Sequence, residues 1–428
     1  MTHPLFVSRQ SLELRGDCSR VVVRSFRPSV EPREFNQLDR SRADNIIARV
    51  LSLDDAGTHA LLAQVLANFD VRHRNLLRQF AERADAMLVS YAPDVELTAE
   101  RRQLLGAFFL NEYSFEAAAL FNPSIVAHPD QSDVADGALR VVLSLRAVGE
   151  GHVSSLTFRS ALVQANGSVI VDPTNRLAAL PKVRGRVGDM LDLTFDPETE
   201  LSERVVFPVT EAQSNGLEDA RFVAFEENGK TVYHATYTAF SGRGIRSELL
   251  STTDFLSFRL TPLKGDAASN KGMALFPRKV NGRYAMIGRQ DNENLHLLYS
   301  DDLLTWSGGT KFLEPRFPWE FVQLGNCGSP IETEKGWLLL THGVGPMRHY
   351  SIGAALLDLE DPSIVIARSH EPLLQPEQSE REGYVPNVVY TCGAIQHRNR
   401  IVIPYAVSDS YCAFASCDLD ALFAALTE

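Results

Sequence analysis

The sequence predicts an all-β propeller domain preceded by a helical segment, and two observations carry that prediction. From about Arg40 to Phe121, apolar residues recur three and four apart in NIIARVLSL, HALLAQVLANF and RRQLLGAFFLNEYSFEAAALF, the spacing of helices with one apolar face. After Asn122 the chain changes to short β-rich runs punctuated by Gly, Pro, Asn and Asp, the pattern of an all-β domain.

The helical segment is justified by periodicity alone. The stretch DVRHRNLLRQFAERADAML continues the period with a charged face, which reads as a solvated surface, so packing or self-association is the role expected of residues 1–118. The β-region, 119–428, is justified by internal similarity. ALRVVLSLRAV, KTVYHATYTAF, GRYAMIGRQD, KGWLLLTHGV and NRIVIPYAVSD each run from a turn residue through an apolar strand to a polar or small end. Several are followed by a second strand that leads into an acidic turn, as in LHLLYSDDLLTW and CAFASCDLDAL. A repeated small sheet cannot bury its faces alone, and closing the repeats into a ring solves that. An open sandwich with similar hairpins is the alternative.

With 44% hydrophobic and 22% charged residues in 428, a sizeable core is expected. A formal charge of −12 argues against a nucleic-acid partner, since backbone phosphates demand a basic surface. It leaves room for an anionic small substrate, because a few converging arginines make a local positive pocket. Charges interrupt the N-terminal apolar residues before a leader could form, and no apolar run is long enough for a membrane span. Five cysteines without metal-type spacing point to reduced thiols and a cytoplasmic protein. Scattered histidines give no metal site, and no G-x-S-x-G, Walker or H-E-x-x-H motif is present.

The densest polar cluster beside a strand is NGLEDARFVAF, residues 215–225. Two adjacent carboxylates with an arginine suit sugar hydroxyls and proton donation to a leaving oxygen; an exposed turn with a salt bridge is the plainer reading. GLEDAR resembles the G-x-E-D-x-R motif of glycoside hydrolase family 130, the β-mannoside phosphorylases and β-mannosidases. FNPSIV (121–126), SLRAV (144–148), ALFPRKVNGRYAMIGRQD (274–291) and GSPIETEKGWLLLTHGV (328–344) resemble further segments of that family in the same order.

The resemblance implies a five-bladed propeller and an inverting phosphorylase that yields α-mannose 1-phosphate. It makes Asp219 the proton donor, with Asn122, Arg146 and Asp409 orienting the sugar and Arg221 holding the site together. Glu218 and Tyr384 join the expected sugar contacts. Arg278, Arg289 and His342 stand where it puts phosphate ligands, and guanidinium forks suit phosphate. Gln323 occupies the place of a family lysine, keeping a hydrogen-bond donor and losing the charge. On residue type alone Arg278 and Arg289 read as exposed hairpin ends and His342 as a buried core histidine.

Arg348 and His349 read equally as cavity mouth or loop. Trp319 is a candidate for stacking on sugar, and Trp306 for packing between blades. Inorganic phosphate is the expected co-substrate, with no cofactor or metal. Hydrolysis by water, synthesis from sugar phosphate, and a non-catalytic glycan-binding propeller are the rival readings, and the helices are candidates for homo-oligomer contacts.

Overall fold

The computed structural model describes residues 7–29, 41–91 and 95–427. It divides into a helical unit, Cys18–Ser114 with Arg176–Ala179, and a β unit that holds the rest.

In the helical unit the sequence sets the helix starts. Ser41 caps Arg42–Leu51 in a reciprocal box with Asp44, Asp54 caps Asp55–Phe69, and Thr98 caps Ala99–Ala107, each accepting from an otherwise orphaned backbone N–H. With Leu76–Tyr91 they enclose Ile47, Val50, Ala84, Met87, Leu104 and Phe109. The helical period expected through Phe121 ends at Ala107. Leu110–Ser114 is instead a strand paired with Val21–Ser25, and Ala119–Ala127 is a strand buried along nearly its whole length. A strand buried on both faces is continuously apolar and lacks the alternation that would separate it from a helix.

The β unit holds five short antiparallel meanders, and the five recurring units of the sequence are the second strand of each. Sheet I begins Ala119–Ala127, Leu139–Val148, Ser154–Val163. Sheet II runs Gly216–Glu227, Lys230–Phe240, Ile245–Thr252, Ser257–Pro262 and then takes in Met190–Thr194 and Lys182–Val187. A single parallel bridge, Gly216 to Ser154, makes sheets I and II formally one. Sheet III is Ala274–Leu275, Tyr284–Gly288, Leu295–Ser300, Thr310–Leu313. Sheet IV is Gln323–Asn326, Gly336–Gly345, His349–Leu357, Val365–Ser369, and sheet V is Val389–Tyr390, Arg400–Val407, Tyr411–Asp418.

Sheet V gains its outer strand from the far end of the chain. Val7–Leu14 pairs with Tyr411–Asp418, so these residues, expected within the 1–118 extension, belong to the β unit. The alternating exposure of this strand is an edge pattern that helical periodicity further on overshadows in the sequence.

Successive sheets share cores. Phe158 of sheet I lies 5.7–6.1 Å from Phe222, Phe255 and Phe258 of sheet II. Val223 and Phe225 meet Met286, Leu298 and fully buried Trp306 between sheets II and III, the place expected for that tryptophan. Ile287 and Leu297 meet Leu339 and Leu357, then Leu340 and Ile352 meet Ile401 and Ile403. Finally Val402 and Phe414 of sheet V pack on Ile125, Val141 and Leu143 of sheet I. Each such side chain contributes roughly 1.5–3 kcal/mol by leaving water.

Candidate active site

The first strands of the five sheets, or the residues next to them, bring their polar side chains to one cavity of about 400 Å³. Asn122 comes from the first strand of sheet I, Asp219 from that of II, Lys271 from just ahead of III, Gln323 from IV and Tyr390 from V. Second strands add Arg146 and His342 from their last pleats and Arg289 and Asp409 from just beyond their ends.

Backbone irregularity aims the key groups. The ladder slips between Phe121 and Ser124 and again between Glu218 and Arg221, and at these two bulges Asn122 (φ 48°) and Asp219 (φ 54°) are left-handed. Bulges re-aim side chains, and strain at non-glycine residues concentrates at functional sites. Ser408 (φ 47°) and Asp409 (φ 52°) repeat the conformation at the turn of sheet V. Gly325 serves differently: it lies opposite His342, and a Cβ there would fall 2.2 Å from the imidazole.

On one side the charges of Asp219, Glu218 and Arg146 are paired with one another, although Asn122 Oδ1 and Arg221 Nε are buried without a partner. The Asn122 amide donates to Asp219 Oδ1 at 2.6 Å, and Arg146 spans Asp219 Oδ1 at 3.2 Å and Glu218 Oε1 at 2.6 Å. Arg221 donates to the Tyr390 hydroxyl at 2.5 Å and to the Asp219 carbonyl at 3.3 Å. Burial pushes Asp219 toward neutrality, yet Arg146, Arg221 and the Asn122 amide hold its carboxyl below the usual carboxylate range. Burial raises Glu218, with Arg146 opposing and Asp219 assisting. Burial and the charge of Asp219 raise Asp409 to about 6, against Arg146 and Arg348.

The other side is rich in donors. Arg289 Nη1 lies 3.5 Å from His342 Nε2, and Arg289 Nε is buried with no hydrogen-bond partner. Burial lowers the Arg289 pKa, and the charge of Arg221 adds to that. Burial with Arg289 and Arg221 nearby holds His342 neutral. Lys271 and Arg348 line the same cavity; neither has a salt-bridge partner among the described residues. An anion entering here would satisfy groups that the protein leaves unsatisfied.

Of the residues named from sequence, Asn122, Arg146, Asp219, Arg289, Gln323, His342 and Asp409 line the cavity, as does Arg348. Glu218 and Arg221 stand directly behind. Tyr384 lines an adjoining cavity instead.

Arg278 is elsewhere. Its guanidinium grips Glu332 at 2.7 and 2.6 Å and lies over Trp337. Glu332 faces Trp337, five residues along the strand from His342, about 16 Å at ~3.3 Å per residue. The arginine follows a strand only two residues long and a buried Phe276, so it stands at the far end of the hairpin. Trp319 is also outside, donating its indole N–H to the His370 carbonyl. Sequence reading missed Lys271, Asn292, Tyr350 and Tyr390, and the only trace of Lys271 is a cation just ahead of ALFP.

The five sheets thus bring two carboxyl groups, Asp219 and Asp409, and a set of cationic and neutral nitrogen donors to one cavity. A family model described as beta-1,4-mannooligosaccharide phosphorylase matches residues 191–428, and the chain belongs to glycoside hydrolase family 130. It is 36% identical over 225 residues to a 1,2-beta-oligomannan phosphorylase of Thermoanaerobacter sp. (strain X514), covering 51% of this chain and 74% of that one. It is 35% identical over 224 residues to a beta-1,2-mannobiose phosphorylase of Listeria innocua, covering 50% of this chain and 60% of that one. The solved structure of the Listeria innocua beta-1,2-mannobiose phosphorylase with beta-1,2-mannobiose superposes with a TM-score of 0.54 at 23% identity, over 72% of this chain and 92% of that one.

Proposed function

We propose that the protein is an inverting β-mannoside phosphorylase, which transfers a mannosyl group from a β-mannoside to inorganic phosphate and releases α-mannose 1-phosphate. The observation that carries this reading is one cavity lined by Asp219 together with Lys271, Arg289, His342 and Arg348, in which Arg289 Nε is buried without a partner, and the names of the relatives support it. Five meanders, each sharing cores with two others and the fifth returning to the first, support a closed five-bladed propeller with the cavity on its axis.

In this mechanism Asn122, Arg146 and Asp409 orient the mannosyl unit. Phosphate is held by Arg289 and His342 with Lys271, and Gln323 adds a neutral hydrogen bond. Its negative charge relieves the excess of donors and raises the pKa of Asp219, so the acid takes up a proton as phosphate arrives. Asp219 then protonates the departing oxygen, directly or through a sugar hydroxyl, while a phosphate oxygen attacks C1 from the opposite face. One acid suffices because phosphate is already the nucleophile. No cofactor or metal enters, and the equilibrium runs either way.

Hydrolysis is the second reading, and Asp409 favours it. A carboxyl raised to about 6 in the same cavity is suited to activating water. The two readings separate when purified protein is given β-1,2-mannobiose with and without phosphate. Mannose 1-phosphate formed only with phosphate upholds the first, and free mannose released regardless of phosphate replaces it with the second.

No helix among the described residues is long and apolar enough to cross a membrane, and all five cysteines are unpaired. The free thiols support a reducing, cytoplasmic setting. Neither a nucleic acid nor a membrane is a partner in this reading, and the helical unit is the candidate surface for a homo-oligomer.

A further inference from the structure

The loop that carries Lys271 and the strand end that carries Arg289 are joined by one side chain, that of Asn270. Its Nδ2 donates to the Arg289 carbonyl at 2.9 Å and to Asn292 Oδ1 at 2.7 Å, with the Gln290 carbonyl at 3.4 Å. Its Oδ1 accepts from the Lys271 N–H at 2.8 Å. A single amide therefore engages both cation-bearing segments, one with each of its ends.

The same loop is tied to sheet II. The buried Ser247 hydroxyl donates to the Asn270 carbonyl, and the buried Thr236 hydroxyl donates to the Met273 carbonyl at 2.5 Å. Gly272, at φ 93°, passes so near Arg289 that a Cβ there would lie 3.9 Å from the guanidinium. Lys271 thus springs from a fixed point, and the turn after Arg289 is registered to it through Asn270.

Two cations that line one cavity without a carboxylate partner repel each other, and their approach must be held by other groups. A carboxylate at position 270 could hold them, but its charge would oppose the anion they are placed to receive. An amide supplies hydrogen bonds and brings no charge. We infer that Asn270 is a positioning residue of the anion site, which keeps Lys271 and Arg289 in register for phosphate without neutralising either. The choice of phosphate as the anion rests on the phosphorylase reading above.

The test is phosphorolysis of β-1,2-mannobiose by the full-length protein over a range of phosphate concentrations. For Asn270→Ala the KM for phosphate rises about tenfold, while kcat at saturating phosphate and the calorimetric affinity for β-1,2-mannobiose stay within about threefold. Asn270→Asp, close in shape, loses the donors, adds a negative charge and weakens phosphate at least as much. With Arg289→Ala already in place, Asn270→Ala costs less than about threefold, because the group it registers is gone. An unchanged phosphate KM in either single variant overturns the assignment. So does a matching collapse of kcat or of mannobiose affinity, or a full tenfold penalty in the Arg289→Ala background. If the parent protein forms no phosphate-dependent product, the phosphorylase reading fails separately, and calorimetric titration with inorganic phosphate decides the role of Asn270. Binding about tenfold weaker in Asn270→Ala upholds it, and equal binding, or none in the parent, removes it.

Discussion

The two walls of the main cavity differ in how their charges are settled. On the wall of sheets I and II, Arg146 bridges Asp219 and Glu218 while Asn122 completes the acid's contacts. On the wall of sheets III and IV, no carboxylate pairs with Lys271, Arg289 or Arg348 among the described residues, and Arg289 Nε is buried without a partner. Paired charges are already positioned and change little when a neutral sugar arrives. Unpaired donors carry a desolvation cost that only an incoming anion removes. The contrast separates a wall built to hold an acid in place from a wall built to be completed by substrate.

The largest effect should come from breaking the paired wall at its acid. Asp219→Asn keeps the shape and the Asn122 contact but has no proton to donate, so kcat should fall about 10²–10⁴-fold. Circular dichroism and β-1,2-mannobiose binding would show whether the loss is confined to chemistry. A variant retaining more than a tenth of parental turnover would remove Asp219 from its role.

Breaking the unpaired wall should instead be read in phosphate. Arg289→Ala removes a charged donor, worth roughly 1.5–3 kcal/mol, so the KM for phosphate should rise about 10–100-fold while β-1,2-mannobiose affinity measured without phosphate holds. If both affinities fell together, the two walls would not be functionally distinct.

Asp409 sits where the walls meet, and its pKa raised to about 6 makes it testable by pH. As an ionised acceptor of sugar hydroxyl groups it should improve mannoside binding as pH rises through about 6, and Asp409→Asn should flatten that limb and weaken binding about tenfold at pH 8. The same shift acts on stability with a definite sign. Its folded pKa lies above the ordinary 3.8, so the native state holds a proton that the unfolded chain has lost, and stability falls as pH rises through about 4 to 6. Asp409→Asn should therefore be more stable at pH 8, on the order of 1–2 kcal/mol by thermal melting, while being the poorer catalyst.

A smaller change should sharpen the contrast. Gln323→Lys adds a cation to the donor-rich wall and should lower the phosphate KM about three- to tenfold. An increase would show that this wall already carries the charge that its anion requires.

What could be read from sequence follows from where each residue sits on a strand. The five second strands were legible because each is apolar and ends in a turn, and four of them are long, as in KGWLLLTHGV and NRIVIPYAVSD, whereas Tyr284–Gly288 has five residues. Asn122 and Asp219 were legible through the motifs around them, although the bulges that aim them leave no mark in composition. The first strands of sheets III and V are only two residues long and show no periodicity, so Lys271, one loop residue between Asn270 and Gly272, went unseen. The N-terminal strand was hidden for another reason: its partner lies some 400 residues away in sequence, and no local pattern encodes a pairing of that range.

Arg278 offers the smallest expected effect and a strict control on the comparison. The family resemblance assigned it to phosphate, whereas the structure pairs it with Glu332, both side chains about 40% exposed. Exposed pairs contribute about 0–1 kcal/mol, and its stacking on Trp337 adds a similar amount. Arg278→Ala should therefore lower stability by roughly 2 kcal/mol or less and leave the phosphate KM within about twofold of the parent. Measured beside Arg289→Ala in one phosphate titration, it asks whether two arginines eleven residues apart belong to the same wall. A shared rise in phosphate KM would return Arg278 to the site and require the hairpin between them to move on binding. A rise confined to Arg289 would assign anion recognition to the buried end of that hairpin.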